Sequence, residues 1–146
     1  MALQFPPKIG MIVICDYTTG FREPEMVKER LAVVISPRLP YRDRLCTVVP
    51  LSMTPARAGI HYQCRIELPV DAPPPYEGRI KWAKADILAT VSFDRLGLPY
   101  TGRDRATGKR KYLQIIVSNE ELKRIHRAVL FAIGLDSLTK SMSEPR

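Results

Sequence analysis

Leu31 to Leu51 reads LAVVIS, PRLPYRDR, LCTVVPL. The two outer runs are apolar and rich in β-branched residues, and each is too short for a stable helix, so both read as strands. Pro37 stops the first, and the segment Pro37 to Arg44 between them is a basic turn. Pro50 lacks a backbone donor, which implies a sheet edge or a bulge near the end of the second run.

Working outward, Met11 to Asp16 (MIVICD) is an earlier strand bounded by Gly10 and by the turn Thr18-Thr19-Gly20. Between them Gly20 to Arg30 is polar, carries both signs of charge and contains Pro24, as an exposed loop does. Downstream, His61 to Leu68 (HYQCRIEL) alternates like a half-buried strand and is followed by the proline-rich break Pro69 to Tyr76. Arg79 to Asp94 gives a strand signal with Asp86 in its middle, and Tyr112 to Val117 gives another. The stretch between them holds glycines and a cluster of Arg and Lys, which predicts a long hairpin loop.

Ser118 and Glu121 have the spacing of a capping box, and Leu122, Ile125, Val129 and Ile133 recur at helical period. Gly134 is the stop. That face is expected to pack against core or a second copy. The expected fold is mainly β with a C-terminal α-helix, a small closed or nearly closed β-barrel in one domain over residues 1–136. A flexible tail over 137–146 is expected to follow. Strand and helix do not alternate, and no glycine-rich phosphate loop is present, so a doubly wound nucleotide-binding fold is not expected.

The chain has 146 residues, 45% of them hydrophobic and 26% charged, a composition that folds around a single core. Lys and Arg number 23 against 15 acids, a formal charge of +8 that favours a polyanionic partner. Three cysteines, Cys15, Cys46 and Cys64, lie in or beside apolar runs and read as buried free thiols of a reducing compartment. The two histidines, His61 and His126, are far apart and no cysteine pair has ligand spacing, so no structural metal is expected. The start of the chain lacks a leader pattern and no run reaches membrane-spanning length, which predicts a cytoplasmic protein.

Gly10-Met11-Ile12-Val13, the polar loop with Glu25 five positions before Arg30, Arg30 to Ser36, Val49-Pro50-Leu51-Ser52, and Ala85 to Leu88 followed by Ser92 to Leu96 stand in an order that resembles the MazF/PemK toxins of type II toxin-antitoxin pairs. The resemblance spans nearly the whole chain. It departs from the family pattern at Leu31, where proline is usual, and around Pro73 and Gly102, where segments look inserted. What it implies is an SH3-like barrel of the CcdB/MazF/Kid type, a homodimer, and endoribonuclease cleavage of single-stranded RNA. The ribose 2′-hydroxyl would attack, leaving a cyclic phosphate, without metal or other cofactor.

Such chemistry needs an activated hydroxyl, a protonated leaving oxygen and donors for the charge on phosphorus. Arg30 suits the last task, because its planar fork binds two phosphate oxygens and stays charged; the alternative is an ion pair with Glu29 or Glu25. Ser52 carries over from the family's Thr or Ser and can donate to the scissile phosphate. Thr54 can serve instead, and both otherwise read as a turn before Pro55. Glu25 is the candidate general base or organiser of Arg30, with Asp86 as an alternative acid whose other reading is a buried partner for a backbone donor or lysine. His61 would suit acid or base work by residue type but stands alone at a strand start. For RNA contacts, Trp82, Tyr41 and Tyr100 can stack bases, with Arg38, Arg42, Arg103, Arg105, Lys109 and Arg110 on the backbone.

Two other readings differ by class. A gyrase-binding toxin like CcdB is identified by a tryptophan near the C-terminus, whereas the single tryptophan here is Trp82. A non-catalytic RNA-binding barrel needs the basic loops but neither Arg30 nor Ser52. The toxin reading implies a cognate antitoxin whose acidic, disordered tail covers the basic groove.

Overall fold

The computed structural model describes residues 2–141. Among the described residues nine strands and one long helix occur in the order β1 (Ile12–Asp16), β2 (Glu29–Val34), β3 (Leu45–Ser52), β4 (Cys64–Glu67), β5 (Ile80–Ala83), β6 (Ala89–Ser92), β7 (Leu96–Gly97), β8 (Tyr100–Arg103), β9 (Arg110–Tyr112) and α1 (Asn119–Ala132). The main sheet is antiparallel in the order β4-β5-β3-β2-β1-β7, with β6 also paired to β3. The mainly β class with a C-terminal helix is as expected. The closed barrel is not: β4 and β7 end the ladder as edges among the described residues.

β3 is the pivot. Its residues 45–48 pair with β6, and Leu51 and Ser52 pair with Ala83 and Trp82 of β5. The partner changes at Pro50, whose missing N–H removes one ladder bond while its carbonyl accepts from the Lys84 N–H at 3.0 Å. The Arg79 to Asp94 signal is therefore two strands broken by a 3₁₀ turn, Ala85–Ile87. Asp86 lies in that turn, exposed, and not inside an apolar strand as expected.

The alternating strands bury two faces. On one, Ile12, Ile14, Leu31, Val33, Val49, Leu51 and Ile66 pack with Ile125 and Ala128 of α1. On the other, Val13, Cys15, Ala32, Val34, Cys46 and Val48 pack with Phe93 and Leu96. Ser118 caps α1, its hydroxyl accepting from the Glu121 N–H at 3.2 Å. The reciprocal half of the box is not made; the Glu121 carboxylate instead accepts from the Glu67 N–H at 2.8 Å, tying the helix to β4. Gly134 ends the helix at φ +80°, where a side chain would be strained. Ile133 sits past the buried stripe and is 55% exposed, contrary to the periodic reading.

Tyr112 to Val117 is not a continuous strand. β9 ends at Tyr112, and the following segment meets β1 through one bridge, Met11 with Ile116, and bonds of Ile12 N–H and Val117 N–H. β8 and β9 form a separate two-stranded ribbon. Asp136–Ser141, at the start of the segment expected as a tail, is a 3₁₀ turn with Thr139 buried; residues 142–146 lie outside the described residues. Among the described residues no helix is long and apolar enough to cross a membrane.

Candidate functional site

Arg30 enters β2 opposite Cys15 of β1. Continuing the β2–β3 register two residues beyond Ala32 and Pro50 brings Arg30 opposite Ser52, and Ser52 is itself opposite Trp82, which faces Arg65 of β4. Directly opposed residues share a face, so Arg30, Ser52, Trp82 and Arg65 form one row across four strands. The row exists because β3 changes partner at Pro50, just before Ser52.

Ser52 is only 6% exposed, and its oxygen accepts from the Thr54 N–H at 3.0 Å. The turn thus uses an acceptor site and leaves the hydroxyl proton available to a ligand. Thr54 is exposed and serves that turn through its backbone. The Arg30 Nε is buried with no hydrogen-bond partner among the described residues. Neither Glu29 nor Glu25 pairs with it: Glu29 accepts from the Tyr76 hydroxyl at 2.9 Å, and Glu25 accepts from its own loop's Arg22 N–H at 3.0 Å. A buried donor without an acceptor is costly, so its persistence marks a place where an anion would be bound favourably.

Arg30 stands between two hollows. One, of about 80 Å³, is lined by Arg30, Ser52, Met53, Tyr76, Glu77 and Lys81. The other is an open cleft of about 560 Å³ that includes Glu25, Lys28, Arg30, Lys84 and Ile87. Arg30 thus shares one hollow with Ser52 and the other with Glu25. Asp86 lines neither hollow and accepts from the Gln63 side chain at 3.2 Å.

Sequence reasoning missed the roof of the smaller hollow. Lys81 is 3% exposed, and its ammonium donates to the carbonyls of Tyr76 at 2.6 Å and Glu77 at 3.1 Å. Burial lowers its pKa from the ordinary lysine value. It pins the proline-rich segment as a strap, helped by Asp71, which accepts from the Gly78 N–H at 2.6 Å. Gly78 adopts φ +106°, with Met53 Cε 3.3 Å from where a Cβ would stand. Tyr76 hangs from this strap, and burial, followed by its bond to Glu29, raises its phenol above the usual range. The one signal for Lys81 was a charge within an alternating strand, but Ile80 and Trp82 are the more obvious inward residues.

The remaining candidates lie elsewhere. Arg38, Arg42 and the fully exposed Tyr41 occupy the turn before β3, at the opposite end of that strand, roughly 20 Å from Ser52 by strand rise. Arg103, Arg105, Lys109, Arg110 and Tyr100 are on the exposed ribbon. His61 is exposed beside α1, its ring 5.0 Å from that of Phe131. Among the described residues no group of three or more His, Cys, Asp or Glu side chains is placed to hold a metal ion.

The chain was compared with known proteins. The model for the PemK-like, MazF-like toxin of type II toxin-antitoxin systems matches residues 8–133. The uncharacterised YifN of Escherichia coli strain K12 is 32% identical, the match covering 94% of this chain and 99% of YifN. An uncharacterised Haemophilus influenzae protein is also 32% identical, with 92% of this chain and 95% of that protein covered. Among solved structures, MazF from Deinococcus radiodurans is similar with a TM-score of 0.56 at 16% identity, over 90% of this chain and 99% of that one. A mycobacterial endoribonuclease solved with its cognate antitoxin gives 0.54 at 23% identity, over 90% and 97%. These likenesses show the fold. The match over residues 8–133, set beside the order of strands and the C-terminal helix, shows that the chain belongs to the PemK-like, MazF-like toxin family of type II toxin-antitoxin systems.

Proposed function

We propose that this protein is a toxin endoribonuclease that cuts single-stranded RNA in the cytoplasm and so arrests translation and growth. The observation that carries the reading is the meeting of Arg30 and Ser52 across adjacent strands in a chain of this family. The single domain over residues 1–136 works as a homodimer, needs no metal, and selects its cleavage sequence. Arg30 holds the scissile phosphate through its fork and stabilises the charge that develops on it. Ser52 donates its hydroxyl proton in a hydrogen bond to a phosphate oxygen. Glu25, across the open cleft, takes the 2′-hydroxyl proton or orients Arg30. The oxygen of that ribose forms the new bond to phosphorus, the 5′-oxygen leaves and gains a proton, and a cyclic phosphate remains.

Trp82, in the row with Ser52, stacks a base beside the cut, and Arg103, Arg105 and Lys109 hold the strand's phosphates. Arg38 and Arg42 contact a more distant part of it. A cognate antitoxin, like that solved with the mycobacterial relative, covers the basic cleft in resting cells. The test incubates the protein with a long single-stranded RNA and with its DNA copy, both in EDTA, and maps the ends. Discrete cuts in RNA alone, with cyclic phosphate termini, are expected. Retention of RNA without cuts would make the protein a binding module, and cuts that require added metal would overturn the metal-free chemistry.

A further inference from the structure

The ribbon of β8 and β9 shares no ladder with the main sheet, and nearly every side chain on it is exposed. Core packing therefore does not account for its composition. Residues 100–112 carry five basic side chains, Arg103, Arg105, Lys109, Arg110 and Lys111, against one acid, half of the chain's formal charge of +8. That acid is used internally. Asp104 accepts from the N–H groups of Thr107 and Ala106, which hold its carboxyl below the usual range, while Arg103 donates to the Gly108 carbonyl at 2.9 Å. The tip is thus shaped by its own bonds, with Arg105 and Lys109 exposed upon it.

At the root of the ribbon the chemistry changes. The Arg110 guanidinium lies 4.4 Å from the centre of the Tyr100 ring, and Tyr112 meets Tyr100 edge-on with centroids 6.2 Å apart. These three side chains, with Leu3, Phe5 and Leu98, wall a cleft of about 250 Å³. That is below the size of a typical small-molecule pocket and suits a single planar ring system. Aromatic faces beside a guanidinium plane are the means by which proteins hold unstacked bases. One strand separates the root of the ribbon from Arg30: Cys15 of β1 stands opposite Arg30 of β2 on one side and opposite Leu96 of β7, which leads into the ribbon, on the other.

We propose that the cleft walled by Tyr100, Tyr112 and Arg110 is a base-stacking subsite that takes one unpaired nucleobase of a single-stranded RNA whose phosphodiester lies at Arg30. The inference rests on the ribonuclease reading and adds to it a place that fixes the register of the strand. The exposed cations of the ribbon neutralise the phosphates on either side of the held base.

The test measures binding of the full chain to a labelled 2′-O-methyl single strand, which lacks the attacking hydroxyl, by fluorescence anisotropy. Tyr112→Ala and Tyr100→Ala should each weaken binding about ten-fold, while Tyr100→Phe stays within about two-fold. An abasic site placed at one position of the strand should reproduce the loss in the wild type and add nothing in Tyr112→Ala. Tyr112 is 56% exposed, so its alanine variant keeps the core, and an unchanged thermal midpoint verifies this. Alanine variants that bind and cut like the wild type would remove the subsite and leave the ribonuclease standing. A wild type that neither binds nor cuts RNA would remove both. Tyrosine-dependent binding of an acidic peptide, with RNA binding unaffected, would overturn the subsite in favour of a protein-docking surface.

Discussion

Arg30→Ala should separate activity from stability. The Arg30 Nε is buried without a partner among the described residues, and an unsatisfied buried donor costs about 1–3 kcal/mol, which the substitution relieves. The same change removes a half-buried aliphatic stem, at about 0.8 kcal/mol per fully buried methylene, so roughly 1–2 kcal/mol is lost in packing. The two nearly cancel. The urea midpoint should move by less than about 1 kcal/mol equivalent, and the thermal midpoint by no more than about 3 °C. Cleavage should nevertheless fall about 10²–10³-fold, the loss seen when one donor to a developing oxyanion is removed. Arg30→Lys keeps the charge but not the fork and should lie between the two. The assay pairs cleavage of a long single-stranded RNA in EDTA with denaturant melts of the same preparations. A loss of more than about 2 kcal/mol with undiminished cleavage would refute the reasoning and make Arg30 a structural residue.

Glu25→Gln should lower cleavage about 10²–10⁴-fold, as removal of a general base does; undiminished cleavage would take Glu25 out of the chemistry. Asp86→Asn should leave stability within about 0.5 kcal/mol and cleavage unchanged, because the carboxylate is exposed and held by one bond to Gln63; a hundred-fold loss would return Asp86 to the site. Lys81→Met removes the donor to the Tyr76 and Glu77 carbonyls and should speed amide exchange in 71–79 by about ten-fold; unchanged exchange would show that proline stiffness alone holds the strap. Burial pushes the thiols from 9.0 up to about 11 at Cys15 and about 12 at Cys46 and Cys64. Their folded pKa values are raised, so the folded state retains protons that the unfolded state releases; this contribution is complete below pH 9.0 and is lost as the pH rises toward 11–12. Urea melts from pH 7 to 11 should show the decline, a triple Cys→Ala variant should show less of it, and an equal decline in both would assign it to other groups.

Local pattern was enough to read most elements, because alternation and proline stops act within a few residues. Leu31 to Ser36 and Leu45 to Leu51 form β2 and β3 within two residues of the expected ends, and Ser118 and Gly134 bound the helix as read. What failed depends on contacts between distant segments. Asp86 looked like an acid within one long strand, whereas the bond from the Lys84 N–H to Pro50 helps turn the chain there into 3₁₀ geometry. The capping box closed only on one side because Glu121 found the Glu67 N–H, 54 residues away. Lys81 could not be read as buried, since its partners are carbonyls of a strap whose path no periodicity encodes. Of the candidate site, Arg30 and Ser52 were proposed from family order and line one hollow, while Tyr76 and Lys81, which line it too, became visible only once the path of the strap was known.

The position of the site follows from how the sheet divides. β3 belongs to one ladder through β6 and to another through β5, and past the division its last residue, Ser52, belongs to neither apolar core, while Leu51 still packs in the first. A serine can stand there because the backbone at Pro50 has one donor fewer to satisfy and the Ser52 oxygen closes the next turn. Arg30 can stand opposite because it is the second residue of β2 and lies outside both apolar cores, while Leu31 and Val33 hold the strand to the core. Stability thus resides in residues 31–35 and 46–51, and the groups proposed for chemistry sit one residue beyond either stretch. Substitutions at Arg30 and Ser52 should accordingly be separable from folding, whereas Leu31→Ala or Leu51→Ala, each opening a cavity in a buried cluster, should cost about 2–5 kcal/mol and abolish both together.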